Sequence, residues 1–188
     1  MRVVTGEAKG RRLKAPKTAG TRPIIDRVKT ALFDILSTRV EDARFLDLFA
    51  GTGSVGIEAL SRGAAHATFI EMSYSVLKLV RENLKITALG DRAETLHADA
   101  FKFLQANATT GGREYDIIYV APPQYHELAA RALAMLDTSP LVAPGGLVII
   151  QVHPKERPVV AAVPLTRLAL TDERKYGSTL LMFYEIKR

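Results

Sequence analysis

A chain of 188 residues that is 47% hydrophobic and 24% charged is of a size and composition to fold as one domain with a sizeable core. It has no cysteine, which excludes disulfides, zinc–thiolate sites and cysteine nucleophiles, and no apolar run of the length a signal peptide or a bilayer span needs. The formal charge of +6 is unevenly spread: residues 1–29 carry nine basic side chains against two acids, a local +7, and the remainder sums to −1. That distribution is expected either of a segment that meets a polyanion or of a solvated terminus.

Residues 1–14 read as a short hairpin turning at 6–10, and the stretch from Pro16 to Pro23 reads as loop. Asp26 is placed to cap a helix in which Val28, Ala31, Leu32, Ile35 and Leu36 recur at helical spacing. From Phe45 onward, short apolar strands alternate with amphipathic helices. The predicted strands are 45–49, 67–71, 93–97, 115–120, 146–152, 163–170 and 179–186, and the predicted helices 54–62, 74–87, 100–106 and 125–136. Such alternation predicts a doubly wound, Rossmann-like α/β fold with a mainly parallel seven-stranded sheet. The last two strands are joined only by 171–178, which predicts a hairpin and hence an antiparallel C-terminal strand. The chain is divided as a basic extension, 1–40, ahead of a nucleoside-binding domain, 41–188.

Gly51, Gly53 and Gly56 follow an apolar strand and open a helix, which is the context that gives G-x-G-x-x-G a mechanism. Glu71 closes the next strand, where a carboxylate can accept hydrogen bonds from ribose hydroxyls. Glycine spacing alone leaves the cofactor open, because a dinucleotide enzyme cradles pyrophosphate on the same loop. Asp47 ends the preceding strand, where its negative charge disfavours a phosphate and suits an ammonium and a sulfonium. With Asp99 beyond the third strand, three acids at successive strand ends favour adenosylmethionine over NAD.

The run Asp47-Leu48-Phe49-Ala50-Gly51-Thr52-Gly53-Ser54-Val55-Gly56 resembles the cofactor motif of the RsmD family of bacterial 16S rRNA guanine-N2 methyltransferases. Thr21-Arg22-Pro23, Asp26-Arg27-Val28-Lys29, Ala31-Leu32-Phe33-Asp34-Ile35-Leu36 and Lys175-Tyr176-Gly177-Ser178-Thr179 also fit it. The likeness runs along nearly the whole chain. It implies S-adenosylmethionine as cofactor, with Asp47 and the Gly51–Gly53 backbone on its methionine part, Glu71 on the ribose and Asp99 on the adenine. Phe49, Thr52, Met72 and Ala100 would line the same site. It further implies a 16S rRNA or small-subunit assembly intermediate as partner, met by Arg11, Arg12, Lys14, Arg22, Arg27 and Lys29. The enzyme would be a cytoplasmic monomer with no metal and no membrane association.

The resemblance breaks at one place. The family's catalytic motif is Asp or Asn, Pro-Pro, then Tyr or Phe; here Ala121, Pro122, Pro123, Gln124 and Tyr125 stand in sequence. The lone pair of an exocyclic guanine amine is delocalised into the ring, so acceptors for its protons favour attack on a methyl group. Ala121 supplies no side-chain acceptor, and Gln124 supplies no ring to stack on the base. Backbone carbonyls held by the prolines, the Gln124 amide and a displaced Tyr125 are the available substitutes. A catalytically silent RNA-binding relative and a DNA adenine-N6 methyltransferase are the alternatives, and an NAD enzyme ranks last. His66, His97, His126 and His153 are scattered without metal-ligand spacing, and Tyr74 and Tyr184 read as packing residues.

Overall fold

A computed structural model of the chain describes residues 1–16, 24–109 and 113–187. These residues cluster into two compact units, Met1–Ala100 and Phe101–Arg188.

In the first unit, α1 (Asp26–Leu36), β1 (Arg44–Asp47), α2 (Ser54–Ser61), β2 (His66–Glu71), α3 (Tyr74–Thr87) and β3 (Ala93–His97) follow in order. The strands lie parallel as β3-β2-β1, with Phe45 opposite Ala67 and Phe69 opposite Thr95. Phe45, Leu46, Phe69 and Ile70 are fully buried, as strands covered on both faces require. Asp26 does not cap α1: Ile25 holds the cap position, and the Asp26 carboxylate lies in the first turn, 3.6 Å from Arg2 Nε.

The N-terminal hairpin is a single antiparallel bridge, Arg2 to Arg12, closed by Val3 N donating to Arg11 O and Gly10 N to Val3 O. It docks on α2, where the Glu58 carboxylate accepts from the backbone N–H groups of Val4 and Thr5 at 2.8 and 2.9 Å. Gly6 makes that approach possible. Its φ is +85°, and a Cβ there would sit 1.7 Å from the Ser61 carbonyl oxygen, so no side chain fits.

The second unit holds α4 (Ala100–Ala106), β4 (Tyr115–Val120), α5 (Leu128–Asp137), β5 (Val142–Val152), α6 (Arg157–Ala161), β6 (Leu168–Tyr176) and β7 (Thr179–Ile186). Its strand order is β4-β5-β7-β6; β4 and β5 are parallel, and β7 is antiparallel to both its neighbours. The seven strands and six α-helices of the two units form the mainly parallel α/β architecture, with antiparallel C-terminal strands, that the sequence predicts. Among the described residues no helix is long and apolar enough to cross a membrane.

Several boundaries differ for identifiable reasons. The sixth strand runs 168–176 rather than 163–170, and the hairpin turn is only Gly177-Ser178, with Gly177 at φ +60°. Asp137 anchors the start of this strand: its carboxylate accepts from the backbone N–H of Thr166, Arg167 and Leu168 and from the Thr166 hydroxyl. Burial alone would raise its pKa; these hydrogen bonds to the charged form outweigh it and hold the carboxyl at about 2. The fifth helix starts at Leu128 rather than 125, because Tyr125 and Glu127 take positive φ values of 65° and 55° that no helix accommodates. Strand β1 ends at Asp47 rather than 49, and β5 begins at Val142 rather than 146.

Candidate functional sites

The cofactor residues predicted from sequence lie in the first unit, at the ends of its parallel strands. Asp47 ends β1, Glu71 ends β2, and the 48–53 loop joins β1 to α2 through Gly51 at φ +52° and Gly53 at φ +75°. A Cβ on Gly51 would meet nothing within 4 Å, whereas one on Gly56 would press to 2.4 Å on the buried Phe69 ring. The first of these glycines leaves room over the loop, and the last sets the closeness of α2 to the sheet.

Asp47 is 1% exposed. Its Oδ2 accepts from Gly56 N at 3.2 Å, while Oδ1 is buried with no hydrogen-bond partner among the described residues. Burial pushes the carboxyl up to about 7, opposed by the Gly56 hydrogen bond and assisted by the negative charge of Glu71. An orphaned acceptor of this kind fits a cationic group and rejects a phosphate. Glu71 is half-buried, with Oε2 accepting from Gly51 N at 3.0 Å and Oε1 from Ser73 N at 2.7 Å. Each oxygen keeps a further lone pair for a hydroxyl donor. Beside it the His97 ring donates from Nε2 to the Met72 carbonyl at 2.8 Å, and the Met72 side chain is 68% exposed. Asp99 is half-buried ahead of α4, Ala100 is buried, and Thr52 is buried within the loop.

The loop is held from below by polar groups that the sequence reading did not single out. The fully buried Asn83 on α3 donates to Thr52 O and Lys14 O and accepts from Lys14 N. Glu58, also buried, takes ion pairs from Lys29 at 3.2 Å and Arg62 at 2.9 Å besides the two backbone donors of the N-terminal segment. Glu58 was legible in principle as the lone charge in an otherwise apolar helix, Val55-Gly56-Ile57-Glu58-Ala59-Leu60.

Lys29 requires a correction. It is 0% exposed, with its ammonium on Arg2 O at 2.6 Å, Ser54 Oγ at 3.1 Å and Glu58, so it cannot meet a phosphate. Burial lowers its pKa, and the Glu58 charge opposes that shift. Of the other predicted RNA contacts, Arg11, Arg12, Lys14 and Arg27 are exposed, Lys14 in an ion pair with Glu82, and Arg22 lies outside the described residues.

The predicted catalytic residues lie in the second unit, directly after β4. Ala121 is half-buried and Pro122 buried, whereas Pro123, Gln124 and Tyr125 are exposed. Tyr125, 59% exposed, occupies the left-handed region, costly for a bulky side chain and characteristic of positions held for function. Its N–H donates to Glu156 Oε1 at 3.1 Å, and its ring centroid lies 5.5 Å from that of His153. Glu156 and His153 belong to the capping box of the short Pro154–Glu156 turn.

The sequence profile of the family described as Conserved hypothetical protein 95 matches residues 1–185. The chain is 35% identical to Ribosomal RNA small subunit methyltransferase D of Escherichia coli strain K12 over 151 residues, covering 80% of this chain and 74% of that one. It is 31% identical to the protein of the same name from Haemophilus influenzae over 186 residues, 98% and 93% of the two chains. The solved structure of the E. coli protein yhhF superposes with a TM-score of 0.83 at 31% identity, covering 100% of this chain and 98% of that one. This chain belongs to the Conserved hypothetical protein 95 family, the family of ribosomal RNA small subunit methyltransferase D.

Proposed function

We propose that this chain transfers a methyl group from S-adenosylmethionine to the exocyclic N2 of a guanine in 16S rRNA, as a cytoplasmic monomer acting on free rRNA or an assembling small subunit. The observation that carries this reading is the buried Asp47 carboxylate with its unpartnered Oδ1, at the glycine loop of a chain in this family. Asp47 would hold the cofactor's ammonium, the Gly51–Gly53 backbone its methionine part, Glu71 its ribose and Asp99 its adenine. When bound, S-adenosylmethionine supplies an electrophilic methyl group on a sulfonium. The chain's own task is then to bind the guanine and relieve its amine of proton density. The carbonyls of Ala121 and Pro122 accept from the amine, with the prolines fixing φ so that little is reorganised during attack. The Gln124 amide offers a further acceptor, and the exposed Tyr125 ring offers a stacking surface. A second reading, a relative that binds RNA without methylating it, is favoured by one observation: Ala121 and Gln124 replace the acid and the aromatic of the family motif.

The cofactor assignment is tested by thermal shift. S-Adenosylmethionine should raise the melting temperature and NAD should leave it unchanged; the reverse pattern removes the assignment. A cation binds the ionised form of Asp47, and the free protein holds a proton there up to about pH 7. Affinity should therefore fall by up to about tenfold per pH unit below 7 and level off above it. Asp47→Asn should bind weakly with no such slope, whereas a pH-independent wild type would place the cation elsewhere.

The RNA assignment of the N-terminal segment is tested by salt. Arg11→Ala with Arg12→Ala should flatten the log–log dependence of RNA affinity on salt by roughly 1.4, about 0.7 per lost phosphate contact on a single strand. An unchanged slope returns both residues to solvent.

A further inference from the structure

Tyr74 reads in the sequence as a packing residue; it is 50% exposed, in contrast to the buried Tyr115, Tyr119 and Tyr184. It opens α3, and Lys78, Arg81 and Lys85 follow at spacings of four, three and four, which puts all four residues on one face of that helix. All three basic side chains are exposed. We propose that this stripe is a track for single-stranded RNA, in which Tyr74 stacks on a base and Lys78, Arg81 and Lys85 meet successive phosphates. The proposal rests on the reading of the chain as an RNA methyltransferase and adds a substrate surface to it.

The outward face of an ordinary soluble helix mixes charges of both signs. On α3 the only acid is Glu82, at the edge of the stripe four residues from Lys78 and three from Lys85; its carboxylate pairs with Lys14 at 2.9 Å and also feels the Lys85 charge. Among the described residues, Lys78, Arg81 and Lys85 form no ion pair with any carboxylate. Lys78 and Arg81 contact neutral groups. The Lys78 ammonium lies 4.7 Å from the Tyr74 ring centroid, and Arg81 Nε donates to Thr95 Oγ1 at 2.9 Å. The Tyr74 ring also lies beside His97, with centroids 5.5 Å apart, and an exposed aromatic ring is a stacking platform for a single-stranded base. Toward its C-terminal end the stripe borders a groove of about 540 Å³ lined by Arg81, Lys85, Gly90, Asp91 and Thr95. Asp91 is the one carboxylate in that lining. Past Lys85, the Arg11 guanidinium donates to Ile86 O, which makes the stripe continuous with the basic N-terminal segment.

The test uses the full chain and one RNA sequence, as a single strand and as a duplex, with affinity measured against salt. The triple variant Lys78→Gln, Arg81→Gln, Lys85→Gln should lose roughly 2 from the log–log slope, about 0.7 per phosphate. Tyr74→Ala should weaken single-strand binding roughly 5- to 150-fold and leave duplex binding unchanged, because paired bases offer no free face. Both variants should bind S-adenosylmethionine as the wild type does, which also verifies their folding. A wild-type slope in the triple variant overturns the proposal, and so does wild-type single-strand affinity in Tyr74→Ala. Loss of cofactor affinity in Tyr74→Ala would assign the ring to the cofactor and overturn it equally. A wild-type chain that binds no RNA removes the proposed function together with the track, whereas binding that ignores these four residues removes the track alone.

Discussion

Ala121→Asp should raise the single-turnover rate of methyl transfer by up to the roughly 10²–10³ associated with one preorganised polar contact, with cofactor affinity nearly unchanged. Ala121 follows β4 directly and is only half-buried, so a carboxylate there need not be driven into the core. It precedes Pro122 and Pro123, whose fixed φ angles hold the backbone on which the new acceptor is carried. A carboxylate accepting from the guanine amine would add to the carbonyl acceptors already proposed. If Gln124 has instead taken over the missing role, Ala121→Asp gains little and Gln124→Ala nearly abolishes transfer. A chain that only binds RNA shows no transfer in the wild type or in either variant. The three proteins measured side by side under single-turnover conditions separate these outcomes.

Glu58→Ala should lower the melting temperature by roughly 6–20 °C, from about 3–5 kcal/mol for breaking a buried ion pair and about 2–4 °C per kcal/mol at this chain length. The carboxylate is fully buried and takes four partners: Lys29, Arg62 and the N–H groups of Val4 and Thr5. Its removal leaves the Lys29 ammonium without a carboxylate and takes two of the N-terminal hairpin's anchors on α2, those remaining being Ser61 with Thr5, Glu7 and Ala8. Lys29→Met should cost less, because Glu58 keeps three of its four partners and the methionine fills much of the lysine's volume. Scanning calorimetry of the two variants checks the order. A Glu58→Ala protein that melts within a few degrees of the wild type would show that the pair is not what fastens the N-terminal segment.

The parts of the molecule legible in the sequence are those whose chemistry dictates a local pattern. Gly51 and Gly53 stand between an apolar strand and a helix that Gly56 seats on the sheet, and Asp47 and Glu71 fall at strand ends, because the positions available beside a parallel sheet are few. Helix α3 and strands β3, β4 and β7 occupy the predicted residues, since each is a periodic run bounded by turn signals. What escaped was decided by tertiary contact. Lys29 counts as a basic residue of the N-terminal segment in any charge tally, yet its partner Glu58 lies 29 positions away and draws it into the core. Asn83 gives no local sign that it ties Lys14 to Thr52. The start of β6 is fixed by Asp137, a residue at the end of another element. Tyr74 packs on Lys78 and His97, yet its place at the start of α3 leaves the ring half exposed, which hydrophobicity alone does not convey.

The central claim is tested most directly by incubating the protein with S-adenosylmethionine carrying a labelled methyl group and, in parallel, free 16S rRNA and small-subunit particles from cells that lack this gene. The rRNA is then digested and the labelled nucleoside identified. The account predicts stoichiometric label in N2-methylguanosine at one position, with no transfer to 16S rRNA from cells that retain the gene. Absence of label in both the unmodified rRNA and the unmodified particles, or label in any other nucleoside, would contradict it.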